Sequence, residues 1–489
     1  MKTDLTKLIL TGLLITLMHN FVLAKNAPDE GYDIKVKLSE FTKDSLFLGY
    51  QMGSQTYIKD TAILDKKTGF FNFHGAKKMQ PGVYLIILPP DNNYFQLILS
   101  EKEQNVTIST SAADFYRPAK VTGSKDTQLF IDYMNYLSLK RKEAEDINSK
   151  RGLDSVATIK KLTLLDKEVK DYQNNLIAKN PNTVTGMLIK TAVEVEMPKF
   201  DNLKDKNERE MAQYLYYKKH YFDNFEMGNP ALLRTPVLFQ RIDAYIERLT
   251  PQHPDSIGES LDRIFEFIKP SKETFQFYFI HYLNQYAQSK LVGFDAIYVN
   301  LTKKYIETGG ADDFIEKANR EKIVTNANKL FPILIGKKAP SIKTFSEDNS
   351  MVDLYGVKSK YTVLFFFAPD CGHCQKQSPD LVAFLKKAKE KSIDVKVVSV
   401  CTYVGTDKTP ECWKYGKEKG FDAFVNTVDP YMISRYKTLY NIETTPQIFI
   451  LDENKTIRSK SVEAKQVGEV LDFIIMEDAE KMRKVAKGQ

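Results

Sequence analysis

The hydrophobic pattern changes twice along the chain, and each change marks a different kind of element. In "YDIKVKL" polar and apolar residues alternate, which puts Ile34, Val36 and Leu38 on one face of a strand. "SLFLGY", "GFFNFHG", "GVYLIIL", "YFQLILS" and "NVTIST" follow at short intervals, separated by turn clusters such as "LDKKTG" and "LPPDNN". This spacing predicts a small antiparallel β sandwich or barrel over residues 25–120. From 121 to 330 the apolar residues recur every three or four positions, as in "TQLFIDYMNYLSLKRKEAEDI", "SVATIKKLTLLDKEVKDYQNNLIAK" and "ESLDRIFEFIKP". That period predicts an all-α region. The aromatic-rich "HYFDNFEMGNPALLRTPVLFQRIDAYIERL" is read as its core rather than as a ligand groove, because aromatic stripes at helical spacing face a core.

From 331 to 489 strands and helices alternate. "YTVLFFF" is a buried strand, and "SPDLVAFLKKAKEKS" is a helix with Leu381, Phe384, Leu385 and Ala388 in one stripe. "IDVKVVSV" is a strand, "ECWKYGKEKG" and "YMISRYKTLYNI" are helices, and "PQIFILD" and "NKTIRSKSV" form a hairpin. "VGEVLDFIIMEDAEKMRKVA" closes the chain as a helix. The pattern predicts a C-terminal α/β domain in a multidomain protein. A length of 489 residues fits several domains, and 43% hydrophobic with 27% charged residues is a globular composition. A net charge of +7 without a concentrated basic block gives no reason to expect a nucleic-acid partner.

The first residues change the compartment. Lys2 and Lys7 precede an apolar run from Leu8 to Met18, and "VLA" follows with Val22 and Ala24 at the small-residue positions of a cleavage site. The run is well short of the ~20 residues a spanning helix needs. Residues 1–24 are therefore expected to be a secretory signal peptide, leaving an exported chain with no transmembrane segment.

Export sharpens the reading of the cysteines. All four, Cys371, Cys374, Cys401 and Cys412, lie in the last quarter. A zinc site would want two close pairs, but only one pair is close, and His373 inside it would crowd a metal. No metal is expected. Cys371 instead follows a strand and turn, and Cys374 lies in the first turn of a helix, whose N-terminus carries partial positive charge and free N–H groups. A thiolate there is stabilised, so Cys371 is the expected nucleophile and Cys374 the resolving thiol. Gly372 and His373 between them, and Asp370 before them, would tune the pair. Cys401 and Cys412 bracket "TYVGTDKTPE". They are expected to form a structural disulfide; the alternative is that Cys401 exchanges with Cys371.

With these residues in place, the C-terminal region resembles the thioredoxin superfamily, and within it the exported TlpA/ResA-like thiol–disulfide oxidoreductases. The likeness lies in "GKKAPSIKTFSEDNSMVDLYGVKSKYTVLFFFAPDCGHC", in Pro379 within the active-site helix, and in "TTPQIFI", similar to the family's cis-proline loop. The resemblance implies a cis Thr445–Pro446 bond facing the cysteines, with the Thr445 backbone binding an incoming peptide. It implies protein thiol or disulfide substrates, no cofactor beyond the cysteine pair, a membrane-bound reductant and a periplasmic location. "DTAILDKKTGFFNFHGAKKMQPGVYLIIL" and "LLRTPVLFQRIDAYIERL" resemble two uncharacterised accessory domains that precede such domains in exported bacterial proteins.

Departures from the pattern matter too. Asp370 stands where thioredoxins carry Trp, and Phe365 replaces their buried acid. Glu443, just before the cis-proline, is then the candidate proton relay, against the reading of a solvated carboxylate. Two other functions compete with this one. A thiol peroxidase would need a hydroxyl residue three positions before its cysteine, where this chain has Ala368. A non-enzymatic envelope binding protein would leave the intact cysteine pair without a use.

Overall fold

The computed structural model describes residues 31–116, 119–149 and 155–486. The expected signal peptide lies outside them. Two compact units divide the chain. Among the described residues, one comprises those of 31–51 and 55–189, and the other those of 52–54 and 190–486. The division falls inside the helical stretch.

The first unit carries an eight-stranded sheet in the order β6-β5-β2-β3-β4-β1-β7-β8. The strands are β1 (Tyr32–Ser39), β2 (Ser45–Met52), β3 (Gln55–Asp65), β4 (Phe70–Gly75), β5 (Gly82–Leu88), β6 (Asn93–Leu99), β7 (Asn105–Ser111) and β8 (Lys120–Thr122). Ile34 and Val36 are fully buried, as the alternation in "YDIKVKL" requires, and pack with Phe73, Leu97 and Ile108. The sheet is not wholly antiparallel, however. β1 runs parallel to β7, from Asp33 beside Asn105 to Ser39 beside Ser111. β3 has no counterpart in the predicted strands, because its side chains are almost all exposed and leave no apolar alternation. Helices α1 (Lys125–Ser149), α2 (Ser155–Lys179) and α3 (Val184–Thr191) complete the unit. Buried Asp126 of α1 accepts hydrogen bonds from the Val184 and Thr185 N–H groups at the start of α3, 2.8 and 2.9 Å.

The second unit begins with helices α4 (Lys206–His220), α5 (Pro236–Arg248), α6 (Pro254–Ile268), α7 (Lys272–Ala287), α8 (Asp295–Leu301) and α9 (Lys317–Leu330). Its aromatic stretch is core: Tyr221, Phe222, Phe225 and Tyr245 are buried against one another. The chain then forms the α/β domain. Its strands are β9 (Lys343–Phe345), β10 (Met351–Asp353), β11 (Tyr361–Phe367), β12 (Val395–Cys401), β13 (Val425–Val428), β14 (Gln447–Asp452) and β15 (Ile457–Lys460). They order as β10-β9-β13-β12-β11-β14-β15. β11, β12 and β13 are parallel, and β14 is antiparallel to β11.

β11 is central and covered on both faces, which is why "YTVLFFF" is apolar throughout. Val363, Phe365 and Phe367 face α10 (Gly372–Glu390), α11 (Thr409–Lys419) and α13 (Val467–Ala486). Leu364 and Phe366 face the opposite layer, with Tyr436, Tyr440 and Ile442. The predicted helix over "YMISRYKTLYNI" shrinks to one turn, α12 (Tyr436–Leu439). Fully buried Asp429 takes the Ile433 and Ser434 N–H groups, and Met432 and Arg435 adopt left-handed φ of 54° and 52°. A helix cannot run through that turn.

Candidate functional site: a cysteine pair at a helix N-terminus

The site forms where β11 ends. Ala368, Pro369 and Asp370 make the turn, and Cys371 is the N-cap of α10, with extended backbone at φ −78° and ψ 111°. An N-cap side chain normally offers an oxygen to the free N–H groups of the first turn. Here the sulfur takes that place: the Cys374 N–H donates to Cys371 Sγ at 3.3 Å. Both cysteines are free thiols, so the structure shows the reduced pair.

The two sulfurs sit in opposite environments. Cys371 is half-buried. Burial alone would raise its pKa, but hydrogen bonds from Cys374, from the Thr445 side chain and from the Cys374 and His373 N–H groups outweigh it, so the thiol is lowered. Cys374 is fully buried among Phe367, Leu381 and Val397. Burial first, and its hydrogen bond with Cys371 second, push it up to about 12. Near neutral pH the pair is therefore an accessible thiolate-former over a protonated, shielded thiol.

The Thr445–Pro446 peptide is cis and lies at the same end of the sheet, because Gln447 pairs with Phe366. The Cys371 thiol donates to the Thr445 carbonyl at 3.2 Å. Pro379 lies inside α10.

The remaining sequence-selected residues divide. Asp370 is exposed and hydrogen-bonds the Tyr403 phenol, whose pKa rises through burial and this carboxylate. His373 is exposed, and its backbone N–H is what acts on Cys371. A Cβ at Gly372 would meet nothing within 4 Å, so space does not demand glycine there. Phe365 is fully buried and stacks on Phe367 with ring centroids 5.5 Å apart. Glu443 has a different partner. Its carboxylate is exposed and bridges Lys329 at 3.5 Å, as in the reading of a solvated carboxylate. Cys401 and Cys412 are joined in a disulfide that ties the end of β12 to α11. Both are buried.

The polar groups behind Cys374 escaped the sequence. Ser378, fully buried one turn along α10, donates to the Cys374 carbonyl at 2.8 Å and contacts the Tyr415 hydroxyl at 2.8 Å. The Tyr415 phenol is pushed up to about 12 by burial, and the two sulfurs add to the shift. Tyr415 stacks on Phe367, centroids 5.1 Å apart. The sequence carried only a serine before Pro379 and a tyrosine on the far helix, with nothing to pair them.

Among the described residues, no group of three or more His, Cys, Asp and Glu side chains is placed to hold a metal ion, and no helix is long and apolar enough to cross a membrane.

A parallel β11-β12 core, an antiparallel β14 entered through a cis-proline and a CxxC at the helix start define a thioredoxin-like domain. Residues 335–460 match the AhpC/TSA family. Residues 32–130 and 167–329 match two domains of unknown function, DUF4369 and DUF5106. No curated protein matches the chain. Similar solved structures include a domain of a possible thiol-disulfide isomerase from Cytophaga hutchinsonii, 28% identical, covering 31% of this chain and 97% of that one at a TM-score of 0.27. A thioredoxin-like protein from Bacteroides caccae is 17% identical, covering 57% of this chain and 98% of that one at 0.42. The thioredoxin domain of a thiol-disulfide oxidoreductase from Bacteroides vulgatus is 20% identical, covering 29% and 96% at 0.26.

Proposed function

We propose that this protein is an exported thiol–disulfide oxidoreductase that exchanges disulfides with protein substrates through Cys371 and Cys374. The observation that carries the proposal is the opposed environment of the two sulfurs, one lowered at the helix N-terminus and one buried and raised. The Cys371 thiolate attacks one sulfur of a substrate disulfide. The substrate S–S bond breaks, a Cys371–substrate disulfide forms, and the other substrate sulfur leaves as a thiolate. Cys374 then loses its proton to solvent or to that thiolate and attacks Cys371. The second substrate sulfur leaves, two electrons have passed to the substrate, and the chain holds a Cys371–Cys374 disulfide. A dithiol reductant, supplied at the membrane in this reading, returns the pair to the reduced state. Run backwards, the same steps oxidise a substrate; partner potentials set the direction.

The Thr445 carbonyl, already accepting from Cys371, supports a reading in which the Thr445 backbone binds an extended substrate. The location is periplasmic on the reading of residues 1–24 as a signal peptide. Peroxide turnover is disfavoured by buried Ala368 three residues before Cys371, which offers no hydroxyl to a peroxide. Reduction of insulin disulfides by the wild type and by Cys371→Ser tests the proposal. Wild-type turnover lost in the variant is the expected result. Equal inactivity of both, or fast peroxide consumption by the wild type, contradicts it.

A further inference from the structure

Just after β13, at the edge where the parallel strands end, the α/β domain displays three consecutive apolar side chains. Tyr431, Met432 and Ile433 are 58%, 49% and 52% exposed. Single exposed apolar residues are ordinary, but three in a row on a fixed loop are not.

The loop is held from below. Asp429, fully buried, accepts from the Ile433 N–H at 3.0 Å, the Ser434 N–H at 2.9 Å and the Ser434 hydroxyl. The Met432 N–H returns to the Asp429 carbonyl at 3.2 Å, and the Gly405 N–H donates to the Pro430 carbonyl at 3.1 Å. The Tyr431 ring stands edge-on to Phe345, centroids 5.7 Å apart. The apolar tips are thus presented rather than left over. The left-handed φ at Met432 costs energy that only this frame offsets.

The register fixes the edge from which the loop leaves the sheet. Phe367 pairs with Cys401, and Cys401 with Val428, so β11, β12 and β13 end at one edge. The turn to Cys371 leaves β11 there, the Thr402 loop leaves β12, and the Asp429 loop leaves β13. The cis Thr445–Pro446 peptide enters at the same edge. Two strand spacings separate the end of β13, from which the loop departs, and the end of β11 by ~10 Å. An extended polypeptide covers that distance in about three residues.

We propose that Met432 and Ile433, with the Tyr431 ring, form a docking rim for the apolar residues that flank the cystine of a disulfide-bonded polypeptide substrate. The inference rests on the exchange reading above. Its occupant is a polypeptide with hydrophobic residues near its disulfide, as exposed in an unfolded or misfolded protein. Continuity with Cys371 and Thr445 along one edge selects this occupant.

The test uses the full chain and three substrates: two disulfide-bonded peptides differing only in whether Val and Leu or Ser and Asn flank the cystine, and oxidised glutathione. The wild type is expected to reduce the Val/Leu peptide about tenfold faster than the Ser/Asn peptide, the effect of burying roughly one apolar side chain. In M432S/I433S that preference should collapse toward unity. The ratio of its Val/Leu-peptide rate to its glutathione rate should fall by a similar factor. A preference kept in the variant, or no preference in the wild type, overturns the inference while leaving disulfide exchange in place. A wild type that reduces none of the three overturns both. A concentration-dependent dimer abolished by M432S/I433S, with the peptide preference unchanged, assigns the loop to self-association instead.

Discussion

Among individual residues, the asymmetry between two sulfurs three positions apart governs the expected chemistry. Burial works against the charged form of Cys371, but hydrogen bonds from the Cys374 thiol, the Thr445 side chain and two backbone N–H groups outweigh it and lower its pKa. Its alkylation should therefore stay fast as pH falls below the ~8.5 of a free cysteine. The thiolate fraction is lost only as pH falls through the lowered value. Cys374, pushed up to about 12, should resist alkylation throughout the neutral range. Iodoacetamide rates against pH, resolved by peptide mass spectrometry, check both; equal labelling of the two cysteines near neutral pH would be the wrong result. Ser378→Ala makes a second case. It strands the buried Tyr415 hydroxyl, which should cost about 1–3 kcal/mol in denaturant unfolding. Y415F in the same background should recover part of that loss. This pair was invisible in the sequence because a hydrogen bond between helices has no spacing signature. The cysteines were legible, since two thiols at a strand-to-helix junction carry their chemistry in order and position. The Glu443 ion pair with Lys329 was not legible, because closeness to Pro446 along the chain says nothing about where its carboxylate turns.

At the scale of the element, apolar pattern found what was buried and missed what was not. β11 and α13 follow from their sequences directly. β3 is a strand with exposed side chains, and only its neighbours in the sheet reveal it. The helix expected over residues 431–442 failed for a named reason: Asp429 captures the N–H groups that a helix would have used. The disulfide between Cys401 and Cys412 braces the segment linking β12 to α11, and it closes a loop of sequence separation 11. Its stabilisation should be about 2–4 kcal/mol. The C401A/C412A chain should melt several degrees lower while keeping exchange at Cys371 in the cold. Loss of all exchange in a still-folded C401A/C412A chain would show that this second disulfide takes part in the chemistry.

At the scale of the molecule, three patterns of hydrophobicity correspond to a β-rich region, a helical region and an α/β domain, yet the compact units divide at 189/190, within the helices. Composition does not change there, so periodicity could not mark the division. Helices α4–α9 share a unit with the thioredoxin-like domain, and buried Lys460 of β15 shows one connection. Its ammonium meets Asp295 at the start of α8 and donates to the Ile333 carbonyl at 2.9 Å. Asp295→Asn would leave that buried cation without its carboxylate, at a cost on the order of 3 kcal/mol. A lowered urea midpoint of the whole second unit is expected; an unchanged midpoint would mean that the contact contributes nothing to its cohesion.

In the proposed exchange cycle Cys371 is the attacking thiol. The most direct measurement is capture with Cys374→Ser, which lets the first step proceed and blocks the second. After incubation with a disulfide-bonded peptide, mass spectrometry should find half of the peptide bonded to Cys371, released by dithiothreitol and absent from the C371S/C374S chain. A chain that carries no adduct, or carries it at Cys401 or Cys412, contradicts the account.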